Sequence, residues 1–132
     1  MSRVLIVDDE PSLRRLLAVV LGADGHEIAE AATVAEAKAA LAARQFDLVI
    51  TDQRLPDGDG LGLLTVCHEA DATVPVIFIT AYATIDLAVR AMRQGAFDVL
   101  PKPFDPDAVR VAVQRGCERA ALLRENESLR GA

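Results

Sequence analysis

Three acidic residues in succession, Asp8, Asp9 and Glu10, follow the apolar run at residues 4–7, and a further aspartate, Asp52, follows the run at residues 48–50. Thr80 stands directly after residues 76–79, and Lys102 two positions after residues 97–100. Taken singly, each has an ordinary structural use: an aspartate after a strand caps a helix, and a lysine before a proline sits in solvent. Together they suggest one chemistry, because all of them end short apolar runs and would collect on one edge of a sheet. Carboxylates crowded in this way repel one another and need a compensating cation. Hard oxygen ligands point to magnesium, which keeps open coordination positions. A phosphoryl group suits those positions, and its remaining oxygens need fixed donors such as an ammonium, a hydroxyl and backbone N–H groups. Lys102 and Thr80 are such donors.

The elements that must carry these residues are βα units. Strands are expected at residues 3–7, 26–30, 47–51, 76–79 and 97–100, separated by segments of helical period. Leu13, Leu16, Leu17, Val20 and Leu21 share one face of the first helix, which Gly22 and Gly25 end. Thr33 and Glu36 form a capping box for an alanine-rich second helix that reaches Arg44. The segment at residues 53–60 reads as a turn-rich loop, after which Leu61, Leu64, Thr65 and His68 fit a short third helix. Thr84 caps a fourth helix expected to carry Ile85, Ala88, Val89 and Met92 inward up to Gly95. Asp105 followed by Pro106 starts the last helix, for which no stop signal is evident. The fold class is therefore α/β: a flavodoxin-like, doubly wound, five-stranded parallel sheet of order 2-1-3-4-5 with five helices. Ligands of such sheets collect beyond the carboxyl ends of the strands, at the switch point between the first and third.

Composition narrows the function further. A chain of 132 residues with 52% hydrophobic and 26% charged residues is sized for one core. Fourteen basic against 20 acidic residues give a net charge of −6, the wrong sign for coating a phosphate backbone, so direct nucleic-acid binding is not expected. The stretch at residues 72–85 is uncharged but too short and too polar to span a bilayer, and no membrane association is expected. Cys67 and Cys117, far apart and in no CxxC pattern, read as reduced thiols of a cytoplasmic protein.

At this level of detail the chain resembles the receiver domains of two-component response regulators. VLIVDDE, DLVITD followed by LPDGDGLGLL, VIFITAYA and GAFDVLPKPFD carry the likeness, which covers residues 3–119. The stretch at residues 80–105 is most similar to receivers of the nitrogen-regulation type, which precede an ATPase that activates sigma-54 promoters. The resemblance implies that Asp52 accepts a phosphoryl group from a sensor histidine kinase. It implies that Asp9, Asp52 and the Arg54 carbonyl ligate Mg2+, with Asp8 helping through water, and that Lys102, Thr80 and the Ala81 N–H hold the phosphoryl oxygens. It also implies a cis Lys102–Pro103 bond, and a domain that catalyses only its own phosphorylation and dephosphorylation. Homodimers are expected through the fourth helix, fifth strand and fifth helix, or through the C-terminal helix.

Residues 1–119 are then the receiver. Residues 120–132 extend the last helix, with Leu122, Asn126 and Leu129 at the spacing of a short coiled-coil seam that links to an output domain. One departure stands out: Val99 occupies the position, three before the lysine, where the family usually has an aromatic. Signalling here is expected to rely on movement of the loop after the fourth strand and of the fourth helix. The alternative reading is a pseudo-receiver that binds partners without phosphorylation; it is disfavoured because Asp8, Asp9, Asp52, Thr80 and Lys102 are all present. An aspartyl phosphohydrolase would need a substrate cap, and a flavin module would need aromatics to stack on its ring.

Overall fold

The computed structural model describes residues 2–131, with side chains through Asn126. Strands β1 (Arg3–Val7), β2 (Glu27–Ala31), β3 (Leu48–Thr51), β6 (Val76–Thr80) and β7 (Asp98–Pro101) form one parallel sheet of order β2-β1-β3-β6-β7. Among the described residues the helices are α1 (Pro11–Ala23), α2 (Val34–Ala43), α3 (Gly60–Ala70), α4 (Ile85–Arg93) and α5 (Pro106–Gly131). Among the described residues the remaining two strands, β4 (Arg54–Leu55) and β5 (Gly58–Asp59), pair only with each other. This hairpin lies within the segment read from sequence as a loop. It interrupts the numbering, while the main sheet keeps the expected sequence of crossovers.

Alternation along the buried strands divides the interior into two layers. Leu5, Val7, Val49, Val76 and Phe78 face Ala37, Leu63, Leu64, Leu87 and Ala91, from α2, α3 and α4. Val4, Ile6, Leu48, Ile50, Ile77 and Ile79 face Leu17 and Leu21 of α1 and Val109, Ala112 and Val113 of α5. Both faces are covered, which is why the central strands read as continuous apolar runs. Gly116 lets α5 lie against the sheet, since a Cβ there would sit 2.8 Å from Leu48 Cδ1.

Most local signals act as the sequence indicates. Thr33 Oγ1 accepts the Glu36 N–H at 3.1 Å and Thr84 Oγ1 accepts the Leu87 N–H at 3.1 Å, capping α2 and α4. Gly25 and Gly95, just past α1 and α4, take φ of 89° and 100°. The Lys102–Pro103 bond is cis. Cys67 and Cys117 are free, and burial pushes the Cys67 thiol up to about 12, which leaves it inert.

Three helix faces differ from expectation. On α4 the structure buries Leu87 and Ala91, while Ile85, Val89 and Met92 are 85%, 43% and 51% exposed and Ala88 is half-buried. The helix carries two apolar stripes, and the one that contains the small Ala91 faces the sheet. On α1, Leu17 and Leu21 are buried and Leu13 and Val20 half-buried, but Leu16 lies outside the covered stripe. Thr65 of α3 is likewise exposed, its place taken by Leu63 and Cys67.

Helix α5 crosses position 119/120 without a break. Beyond it, the Arg124 guanidinium donates to the Phe46 carbonyl at 3.0 Å, the Thr73 hydroxyl at 3.1 Å, the Asp71 carboxylate at 3.3 Å and the Asp47 carboxylate. Leu122 is exposed, Asn126 is the last side chain described, and Leu129, the last position of the seam, lies outside the described side chains. Burial alone would raise the Asp71 carboxyl, but hydrogen bonds from Thr73 and the charge of Arg124 outweigh it and hold it below its ordinary 3.8. A depressed carboxylate contributes stability that is present above its unfolded pKa and is lost as pH falls through the native value. The Arg124 clamp should therefore persist at neutral pH and open only below about pH 4. Arg124→Ala should speed amide exchange over residues 117–126, leave the strands protected, and cost about 1 kcal/mol in urea unfolding.

Candidate functional site

The carboxyl ends of β1 and β3 lie side by side, Val7 pairing with Thr51, so the residues that follow each strand emerge at the switch point of the sheet. Asp8 and Asp52 are buried there and Asp9 is exposed, and the three offer carboxylate oxygens within 4.8 Å of one another. Lys102, just past β7, reaches across: its Nζ lies 2.8 Å from Asp8 Oδ2 and 2.8 Å from Asp52 Oδ2, with Glu10 Oε1 farther out at 3.9 Å. Its side chain is only 11% exposed. Burial works against the charged form of the lysine, but the hydrogen bonds to Asp52 and Asp8 outweigh that, and the ammonium is held above its usual 10.5. One cation is thus shared by two buried carboxylates, and the cluster remains anionic.

The backbone fixes each acid in turn. Asp8 Oδ1 accepts the Glu10 N–H at 2.9 Å, and Asp52 Oδ1 accepts the Gln53 N–H at 2.6 Å. The Arg14 guanidinium donates to the Asp8 carbonyl at 2.6 Å and pairs with Glu30 at 3.1 Å, tying the β1–α1 turn to β2. Thr80 is fully buried at the end of β6; its Oγ1 accepts the Tyr82 N–H at 3.2 Å, and its carbonyl accepts the Lys102 N–H at 2.9 Å. Ala81 follows it, exposed. The structure thus brings Asp8, Asp9, Asp52 and Lys102 together directly. Thr80 and Ala81 stand at the end of the strand between β3 and β7, and Arg54 starts the hairpin two residues after Asp52.

Sequence reasoning passed over Gly60 and Gln53, which support this arrangement. Gly60 packs so close to Asp52 that a Cβ would lie 2.6 Å from the Asp52 carbonyl and 2.6 Å from Phe78. Gln53 holds the loop from both sides, its carbonyl accepting the Gly60 N–H at 2.8 Å and its Oε1 the Leu61 N–H at 3.2 Å. The Arg54 guanidinium stacks on the Tyr82 ring at 3.7 Å. The signal for the hairpin was available in the Pro-Asp-Gly at residues 56–58.

The donor set suits a small, hard divalent cation: three carboxylates converge with no thiolate or imidazole among them. Among the described residues no helix is long and apolar enough to cross a membrane.

Comparison with known proteins gives this arrangement a family. PilR of Pseudomonas aeruginosa, a response regulator, is 45% identical over 112 residues, 85% of this chain and 25% of that protein. The transcriptional regulator NtrC of Proteus hauseri is 40% identical over 114 residues, 86% of this chain and 24% of its own length. These are relatives of the nitrogen-regulation type, and the chain spans about a quarter of the length of each. The beryllofluoride-activated NtrC4 receiver domain dimer superposes with a TM-score of 0.87 at 32% identity, covering 91% of this chain and 99% of that one. The response regulator receiver domain matches residues 4–114, and with the acids and the lysine placed at the switch point of this sheet the chain belongs to that family.

Proposed function

We propose that this chain accepts a phosphoryl group on Asp52 from a phosphohistidine of a sensor histidine kinase, and that its modified form controls a transcriptional output of the sigma-54 type in the cytoplasm. The observation that carries the reading is the position of Asp52: at the carboxyl end of β3, within 4.8 Å of Asp8 and Asp9 oxygens, and 2.8 Å from the Lys102 ammonium. Asp9, Asp52 and the Arg54 carbonyl would hold Mg2+, with Asp8 acting through water. When bound, the ion supplies positive charge for the phosphoryl oxygens. Asp52 attacks phosphorus in line, the bond from phosphorus to the donor breaks, and the electron pair leaves with the imidazole nitrogen. Lys102, the Thr80 hydroxyl and the Ala81 N–H then take the remaining oxygens, and water later removes the group. The domain turns over no other substrate. Phosphoryl uptake from acetyl phosphate with magnesium, read by intact-protein mass, tests the assignment.

Phosphorylation adds about −1.5 to −2 charge beside Thr80 and Lys102. With Val99 in place of the family's aromatic, the response falls on the loop from Thr80 and on α4, whose exposed Ile85, Val89 and Met92 suit a dimer formed through α4, β7 and α5. The NtrC4 receiver, described as an activated dimer, supports self-association as such, with residues 120–132 as the other route to it. The receiver proper is assigned to residues 1–119.

The Arg54–Tyr82 stack flanks the acceptor, two residues after Asp52 and two after Thr80. Its bulk is expected to hinder water reaching the acyl phosphate. Arg54→Ala and Tyr82→Ala should therefore each lose the phosphoryl group several-fold faster than wild type. Rates equal to wild type would remove the stack from the mechanism.

A further inference from the structure

Helix α2 has two sources of capping, and one of them is foreign to it. The first N–H groups of a helix lack partners within it. Thr33 Oγ1 accepts the Glu36 N–H. The Val34 and Ala35 N–H groups are instead taken by the Asp57 carboxylate, at 2.7 and 3.0 Å, from the tip of the β4–β5 hairpin. Those two hydrogen bonds hold the Asp57 carboxyl below its ordinary range, so it is charged at the positive end of the helix.

The hairpin has need of such an anchor. Two residues per strand, joined to no other strand, do not hold a shape unaided. At the base, Gln53 secures it through Gly60 and Leu61. Along its side, Gly58 fits so closely over Val34 that a Cβ would lie 3.1 Å from Val34 Cγ2. At the tip there is Asp57. Arg54 lies between base and tip, paired with Asp59, so the position of its backbone is set from both ends.

We propose that Asp57 is a positioning residue for cation binding: by latching the hairpin tip to the first turn of α2 it holds the Arg54 carbonyl at the edge of the carboxylate cluster. This rests on the reading that Arg54 lends its carbonyl to magnesium. Magnesium demands near-octahedral geometry at short distances, whereas calcium accepts more ligands at longer and more variable ones. A loosened hairpin therefore penalises magnesium more than calcium, and a general loss of stability has no such preference.

The test is calorimetric titration of the metal-free protein with Mg2+ and, separately, Ca2+. Asp57→Ala should weaken Mg2+ binding about tenfold, as loss of an outer supporting group does, and Ca2+ binding by less than about threefold. Asp57→Asn, which keeps one acceptor oxygen, should fall between. Thr33→Ala removes the other cap of the same helix without touching the hairpin, and should leave both affinities as in wild type. Unchanged Mg2+ affinity in Asp57→Ala, or a parallel fall for both ions, would overturn the latch. If wild type bound no Mg2+, or Asp9→Asn bound it as well as wild type, the cation reading itself would fail and the latch with it. Circular dichroism shows whether each variant is folded, and Asp57→Asn carries the test if Asp57→Ala is not.

Discussion

Asp52→Asn should take up no phosphoryl group under conditions in which wild type gains one, from acetyl phosphate and magnesium, and intact-protein mass reads the difference directly. An amide oxygen does not attack phosphorus as a carboxylate does, so loss of uptake should be complete. The substitution should not harm the fold. The Gln53 N–H and Lys102 Nζ bond to different oxygens of Asp52, so asparagine, with one acceptor oxygen, keeps only one of these hydrogen bonds, but it removes one charge from three crowded carboxylates. The lost hydrogen bond and the relieved repulsion oppose each other, so metal-free Asp52→Asn should unfold within about 5 °C of wild type. That result separates a lost nucleophile from a lost structure. A phosphoryl group on the asparagine variant would move the acceptor to another acid of the cluster, and an unmodified wild type that still binds magnesium would favour a partner-binding role without phosphorylation.

Lys102→Met should be the most destabilising single change at the site. The Asp8 and Asp52 side chains are only 4% and 8% exposed, and the lysine is their shared cation. Removing one partner of a buried ion pair leaves charge without compensation, at about 3–5 kcal/mol. Urea unfolding at neutral pH, without metal, should show a lower midpoint with an unchanged slope. Added Mg2+ should recover more stability in the variant than in wild type, because the ion is then the cluster's sole counter-charge. The pH dependence follows from the raised lysine. A group whose native pKa lies above its unfolded value contributes stability that is complete below the unfolded value and is lost as pH rises through the native one. The advantage of wild type should accordingly be flat through neutral pH and fade only above pH 10.5. A variant as stable as wild type would show that the carboxylates are not held as charges in the metal-free protein.

The parts of the site that were legible in the sequence are those with a local cause. Residues 4–7 and 48–50 are buried on both faces of the sheet and so read as unbroken apolar runs that lead to Asp8 and, through Thr51, to Asp52. Thr33 and Thr84 cap through their own next turn, a spacing any reader can count. What escaped depends on distant partners. Nothing near Asp57 in the chain indicates that its carboxylate meets α2, 23 residues earlier. Nothing near Arg124 announces Asp47 or Asp71. Periodicity on α4 offered two apolar stripes, and only the packing of Ala91 against the sheet decides between them. Gly60 looked like a turn residue, yet its place is required by the Asp52 carbonyl and Phe78.

The Arg124 clamp also fixes an angle. An α-helix advances about 1.5 Å and turns about 100° per residue, so a helix pinned at that residue behaves as an indexed shaft. A single residue inserted between Arg124 and Gly131 would swing anything joined beyond by more than a quarter-turn. Seven inserted residues would bring it back to within about 20° of its original bearing, one heptad farther out. The rotational phase of whatever the helix carries is thereby registered against the amino ends of β3 and β6, at the opposite edge of the sheet from the acidic cluster.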